Sequence, residues 1–161
     1  MTKRRYGVNC GSMQNTAPFR LDDFLPYLLS VATNVVSDAV SATYSTSHGL
    51  KTPEWRLLAV LAEDGAMTPL AIGQRTRMDK VTVSRAAMSL IERGLLRRTP
   101  NAADQRSHLL SLTPSGEALY KEVAPQALAV EARIFDGFTP EERQALCSLL
   151  MRAQKAAAPE G

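Results

Sequence analysis

The chain has 161 residues, 45% hydrophobic and 22% charged, with a formal net charge of +3, which suits one globular domain with a substantial core. Aromatics are scarce at 6% while Ala and Leu are plentiful, so helices are favoured over a β-sandwich. Two cysteines, Cys10 and Cys147, and two histidines, His48 and His108, are too few and too scattered for a disulfide framework or a metal site. No apolar run approaches the roughly 18 residues of a membrane span, and no secretory segment follows the basic start. The expectation is a reduced, cytoplasmic protein with no membrane partner, metal or cofactor.

Residues 1–17 lack a periodic apolar pattern and are expected to form a disordered tail. Within them, Gly11-Ser12-Met13 reads as a cloning scar followed by a native start, with a natural basic arm as the competing reading. Residues 18–161 are expected to form a single domain. Four helix starts share one signature: Thr52-Pro53, Thr68-Pro69, Thr113-Pro114 and Thr139-Pro140 each place a capping hydroxyl before a proline suited to the first helical turn. The last adds Glu142 at the N3 position of a capping box.

In chain order, a first helix is predicted over Leu21 to Thr46, with Asp22 and Asp23 at its positive end. A second runs from Pro53 to Glu63, where Leu57, Leu58 and Leu61 recur at helical spacing before Asp64-Gly65. A short third helix covers Pro69 to Thr76, and a fourth covers Lys80 to Arg93, capped by Asp79 and stopped by Gly94. The period then changes to two short strands, Leu95 to Arg98 and His108 to Leu112, around a polar loop. A long helix from Pro114 to Phe135, kinked at Pro125, and a last helix from Pro140 to Ala157 complete the chain.

The third and fourth helices around the tight turn Arg77-Met78-Asp79 form a helix-turn-helix, and the strands add a wing. The fold class is therefore mostly α with a small β-hairpin wing, the winged helix-turn-helix spanning about 53–113. Charge follows the same division. From Ala66 to Leu112 eight basic residues face three acids, a balance of +5, against 0 before and −2 after. Such a centre suits a polyanion, although a solvated Arg-rich face would look the same by charge alone.

On a wheel at 100° per residue, Val83, Ala86, Ala87 and Leu90 form one apolar side of the fourth helix. Val81, Arg85, Met88 and Glu92 fall opposite, with Thr82, Ser84 and Ser89 flanking. Arg85 has the fork to read a guanine edge, and Val81 and the Thr82 methyl suit a thymine methyl. Lys80, Thr82 and Ser84 suit phosphate. A surface salt bridge to Glu92 is the alternative for Arg85. In the wing loop, Arg106 suits a narrow minor groove, and Asp104 braces the turn or pairs with an arginine. Arg97 and Arg98 stand at the wing's base within reach of phosphates. The end helices, about 21–46 and 114–157, fit either a monomeric bundle or a dimer interface, and a DNA reader of this size favours the dimer.

The runs Met78-Asp79-Lys80-Val81-Thr82-Val83-Ser84-Arg85, Leu90-Ile91-Glu92-Arg93-Gly94-Leu95-Leu96-Arg97-Arg98, Asp104-Gln105-Arg106-Ser107 and Leu110-Ser111-Leu112-Thr113-Pro114-Ser115-Gly116 resemble the MarR family of winged-helix regulators. The resemblance is colinear over nearly the whole chain, and the Asp-x-Arg-Ser wing followed by Leu-Thr-x-x-Gly is its specific part. It implies a bacterial or archaeal homodimer, with interlocked terminal helices, that binds a pseudo-palindromic operator. It further implies repression relieved by a small phenolic or aromatic acid. Thr82, Ser84 and Arg85 match the family's groove-facing positions and Arg106 its wing-tip arginine. Val81 departs from the small polar residue common there, which leaves the base preference open.

In similar proteins the effector pocket lies between the dimer helices and the reading head. Here that junction offers Tyr44, His48, Trp55 and Arg56, with Tyr27 from the first helix, a set suited to a planar carboxylate. The first helix resembles the branch controlling nicotinate-type ring catabolism, so hydroxynicotinate-like and salicylate-like acids are the candidate effectors. Singly, Trp55 reads as core, His48 as loop and Arg56 as surface charge. No cysteine stands at the start of the first helix, where peroxide sensors of the family carry one, and Cys147 is expected to be a small buried hydrophobe. No phosphate loop, metal cluster or nucleophile elbow indicates an enzyme. The alternative functions are a winged-helix protein-interaction module and a DNA-binding regulator without a small-molecule ligand.

Overall fold

A computed structural model describes residues 19–158. The expected tail, with Cys10 and Gly11-Ser12-Met13, lies outside the described residues. The chain divides into two units, one up to Ala39 and one from Val40, with the division inside the first long helix.

In the first unit, Leu21–Asp23 form a 3-10 turn and helix α1 (Leu25–His48) begins after Phe24. This corrects the predicted start at Leu21. Phe24 adopts an extended backbone (φ −87°, ψ 106°) that separates the two elements, so Asp22 and Asp23 belong to the turn. Asp23 pairs with Arg20 at 3.8 Å, and the Phe19 and Phe24 rings meet edge to face at 5.3 Å. Pro26 then falls in the first turn of α1, where a missing N–H costs nothing.

In the second unit, α2 (Thr52–Asp64), α3 (Pro69–Thr76), α4 (Lys80–Glu92), β1 (Leu96–Pro100), β2 (His108–Leu112), α5 (Pro114–Ile134) and α6 (Pro140–Ala157) follow in order. Three of the four threonine caps form as the sequence predicts. Thr68, Thr113 and Thr139 accept from the N–H groups of Ala71, Gly116 and Glu142. Thr52 does not: it is the first residue of α2, and the cap is built from the other side. The buried Glu54 carboxylate accepts the Lys51 N–H at 2.7 Å, which leaves the Thr52 hydroxyl to accept from the Tyr44 hydroxyl at 3.4 Å.

The core gathers the inner faces of α2, α3, α4 and the hairpin. Leu57, Leu58, Ile72, Val83, Leu90, Leu110 and Val123 are fully enclosed, and burial of each such side chain contributes about 1.5–3 kcal/mol. The strands are antiparallel, with Leu96 opposite Leu112, Arg97 opposite Ser111 and Arg98 opposite Leu110. Met67 adds a one-residue third strand through two hydrogen bonds to Leu110 of 3.0 and 2.8 Å.

Leu95, which hydropathy places at the start of the first strand, belongs to the turn before it. Its N–H closes the end of α4 on the Leu90 carbonyl at 2.9 Å, and its carbonyl accepts Thr113 N–H at 3.0 Å. Helix α5 runs through Pro125 without interruption. Cys147, expected to be buried, is exposed, because α6 buries no residue of its own against the described chain.

Candidate nucleic-acid interface

Asp79 accepts the Thr82 N–H at 2.9 Å and the Thr82 hydroxyl at 2.7 Å, fixing the first turn of α4. The Thr82 side-chain hydrogen bond, reinforced by the backbone one, holds the Asp79 carboxyl below its ordinary value, so the cap stays charged. Ahead of it, Arg77 closes α3 in the left-handed region at φ 57°, which makes the sharp turn a helix-turn-helix needs.

The four residues that α4 buries are Val83, Ala86, Ala87 and Leu90, the apolar side read from the wheel. Lys80, Val81, Ser84, Arg85, Met88 and Glu92 are exposed and Thr82 half-buried. Val81 at 56% and Met88 at 55% are unusually open for apolar side chains and flank Arg85 on one stripe. Arg85 makes no ion pair among the described residues, to Glu92 or to any other acid. The stripe thus presents one available guanidinium between two apolar contacts.

The wing tip is a set of short-range turns. Asp104 accepts the Arg106 N–H on its carboxylate at 3.0 Å and the Ser107 N–H on its carbonyl at 3.0 Å. Asn101 donates to the Ser107 hydroxyl at 2.8 Å and accepts from Ala103 N–H at 3.1 Å. Asp104 therefore fixes the backbone that carries the exposed Arg106, and pairs with no arginine among the described residues.

The pleat separates two residues that look alike in sequence. Arg97 and Arg98 are adjacent on β1, so they lie on opposite faces of the hairpin. Arg97 donates from Nε to the Ser111 hydroxyl at 3.0 Å. Arg98 stands opposite Leu110, two rungs from His108, whose imidazole is held below the ordinary histidine value of 6.5 by burial and then by the Arg98 charge.

Not all of the basic centre is available. Arg75 is committed to Asp64 at 3.1 Å and Glu63 at 3.3 Å at the end of α2. Arg93 donates to the His48 carbonyl at 2.8 Å and lies 3.9 Å from the buried Glu54. Arg77, Lys80, Arg85, Arg97, Arg98 and Arg106 make no ion pair among the described residues. Arg93 thereby ties the end of α4 to the end of α1 and the start of α2. In the sequence Arg93 is visible only as charge, since nothing local reveals a partner 45 residues away.

The expected effector residues fall out differently. Tyr44 is enclosed in the core and stacks on Trp55 at 5.6 Å, and Trp55 stacks on Tyr120 at 5.7 Å. Tyr120 completes this stack from α5 and was missed, because the pairing is long-range. His48 ends α1 with its side chain 16% exposed and its Nε2 3.5 Å from Glu122, too poorly aligned for a hydrogen bond. Arg56 is exposed. Tyr27 is exposed in the first unit.

Comparison with known proteins agrees with this architecture. A sequence profile of the MarR family matches residues 48–107, from the end of α1 to the wing tip. The homoprotocatechuate degradative operon repressor of Escherichia coli is 30% identical over 103 residues, covering 64% of this chain and 70% of the relative. The HTH-type transcriptional regulator PecS of Dickeya dadantii is 30% identical over 130 residues, 79% of this chain and 78% of PecS. Among solved structures, BpsR of Bordetella bronchiseptica, whose DNA binding is regulated by 6-hydroxynicotinic acid, superposes with a TM-score of 0.79 at 29% identity. The match covers 86% of this chain and 98% of BpsR. With a helix-turn-helix, a braced wing and relatives that are transcription regulators, the chain belongs to the MarR family of winged-helix DNA-binding transcriptional regulators.

Proposed function

We propose that the protein is a cytoplasmic homodimeric repressor that binds a pseudo-palindromic operator and is released from it by a small aromatic acid. The observation that carries the DNA-reading part is the exposed stripe of α4. Arg85 lies unpaired among the described residues between Val81 and Met88 on the side opposite the packed face. In this reading Arg85 meets a guanine edge in the major groove, Val81 and Thr82 meet thymine methyls, and Lys80 and Ser84 set register on phosphates. Arg106 enters the minor groove on the turn that Asp104 braces, and Arg97 and Arg98 contact phosphates.

Dimerisation is supported by the apolar surface the chain leaves open. In α5 and α6, Leu128 (63%), Leu149 (56%) and Met151 (63%) are exposed, which a soluble chain tolerates poorly without a partner. The effector class is supported by the relatives, one named for a homoprotocatechuate operon and one regulated by 6-hydroxynicotinic acid. Tyr27, Tyr44, His48, Trp55 and Arg56 are the proposed effector-binding set. A specific observation favours a second reading of that set: Tyr44, Trp55 and Tyr120 already stack on one another, which suits a rigid support in a regulator without an effector.

Fluorescence anisotropy of the protein on its own upstream DNA and on random DNA tests both parts. Specific binding weakened by 6-hydroxynicotinate, salicylate or homoprotocatechuate is the expected result. Sequence-blind binding overturns the operator reading in favour of a protein-docking module, and specific binding indifferent to every acid removes the effector alone.

A further inference from the structure

Helix α4 carries the exposed stripe with Arg85, and the side that holds it in place is shallow. Two of its four buried residues, Ala86 and Ala87, offer only a methyl to interlock with neighbouring helices. Apolar burial is non-directional, so it holds α4 against the core more firmly than it fixes its rotation. The Asp79 cap pins the N-terminal end. At the other end Arg93, the C-cap residue, supplies a directional side-chain contact. The Gly49 and Leu50 N–H groups return to the Ser45 and Tyr44 carbonyls at 3.1 and 3.2 Å, which closes α1. The His48 carbonyl, past the last of these bonds, takes Arg93 Nη2 at 2.8 Å. Arg93 Nη1 lies 3.9 Å from Glu54, the one polar or charged residue buried among those described. Glu54 in turn accepts the Lys51 N–H at 2.7 Å. One fork therefore bridges the end of α1 and the first turn of α2.

We propose that Arg93 is a positioning residue that sets the angle at which α4 meets DNA, and thereby the half-site spacing the dimer accepts. The inference rests on the dimeric operator reading above and names the residue that fixes its geometry. A guanidinium suits the task because its fork is planar and rigid, whereas an ammonium is a point charge that cannot hold two partners in fixed directions. Glu54 penalises the alternatives. A buried carboxylate is costly unless paired, and any rotation that carries Arg93 away leaves Glu54 with a backbone partner and no cation.

Fluorescence anisotropy tests this on duplexes carrying the operator from the protein's own upstream DNA. One has the natural spacing, and two have a base pair added or removed at the centre, which turns one half-site against the other by about 35°. Wild type is expected to lose about tenfold or more in affinity on either altered duplex. Arg93→Gln is expected to bind all three within about threefold of one another. Arg93→Lys, which keeps the charge, is expected to match wild type on random DNA and still lose most of the spacing contrast. Glu54→Gln keeps an acceptor for the Lys51 N–H and removes the charge facing Arg93, and is expected to narrow the contrast to about fivefold. Urea titration reports the folding of each variant. Loss of folded protein lowers binding to the three duplexes equally, so their ratio reads position alone. Wild-type contrast in every folded variant overturns the proposal. A uniform loss on all duplexes overturns it too, and marks Arg93 as a phosphate contact. If wild type itself binds the three duplexes alike, the dimeric operator reading fails and this inference falls with it.

Discussion

Helices α4 and α6 carry the same kind of sequence signature and have opposite fates in the single chain. Each is capped through its own side chains, α4 by Asp79 and α6 by the reciprocal pair Thr139 and Glu142, and each has an apolar face at helical spacing. Yet α4 buries four residues and α6 none. The cap and the periodicity decide that a helix forms and which side is apolar. Whether that side meets its own chain is decided by topology. The hairpin that follows α4 returns onto it, whereas α6 ends the fold with Leu149, Leu150 and Met151 exposed. An apolar face that the chain folds back onto becomes core, whereas the apolar residues of α6 stay exposed, as the proposed dimer requires.

A matched pair of substitutions gives the largest expected contrast. Leu90→Ala is expected to lower unfolding stability by about 2–5 kcal/mol at any protein concentration. Leu150→Ala is expected to leave a dilute sample as stable as wild type and to lower stability only where the dimer forms. Equal, concentration-independent losses in urea titrations would erase the distinction between the two helices.

Within the reading head the comparison sharpens to single side chains. Arg85→Ala is expected to cost about 1–3 kcal/mol on the operator and to relax preference at one base pair per half-site. Arg98→Ala is expected to weaken operator and random DNA alike and to reduce the salt dependence by about one unit of slope. Anisotropy across a salt series separates them. If the two variants lose the same amount on both DNAs, readers and anchors are not distinct.

Smaller effects concern the joints. Thr113→Ala removes both a cap and the hydrogen bond to the Gly94 carbonyl, and is expected to cost about 1–2 kcal/mol in thermal unfolding. His108 gives the smallest effect, on pH. Its folded value lies below the ordinary 6.5, so the fold favours the neutral ring. The sign follows: its contribution is fully present above 6.5 and is lost as pH falls through the lower folded value. Proton NMR is expected to find the imidazole titrating below 6.5, and to find it raised but still depressed in Arg98→Ala, because burial is the larger cause.

The sequence made the second unit legible where local rules act alone. The buried side of α4 followed from a 100° wheel, and Thr68, Thr113 and Thr139 cap where a hydroxyl precedes proline. Thr52 departs from the same rule because α2 begins one residue earlier, with the Trp55 N–H on the Lys51 carbonyl at 3.0 Å and the Glu54 carboxylate on the Lys51 N–H, and spacing alone does not mark that shift. The first helix began late because a backbone break at Phe24 leaves no mark in hydropathy. The candidate site was legible for α4 and less so for the wing, where adjacent arginines looked equivalent until the pleat assigned them to opposite faces. Arg93 with His48 and Trp55 with Tyr120 join elements distant in sequence, and no periodicity encodes them.

The Leu-Thr-x-x-Gly run has a mechanical consequence. Thr113 bonds back to both Gly94 and Leu95, Leu95 bonds to Leu90, and a Cβ on Gly116 would drive into the Leu95 carbonyl, so the return leg of the hairpin is clamped to the end of α4. The hairpin is then a lever pivoted at that clamp. Five strand residues at about 3.3 Å each put Arg106 more than roughly 16 Å from the pivot. A turn of about 10° there carries the tip some ~3 Å, the length of a hydrogen bond. A signal that strains this joint need not unfold anything or reach the tip. On the docking proposed above, tilting the root would shift Arg106 relative to Arg85.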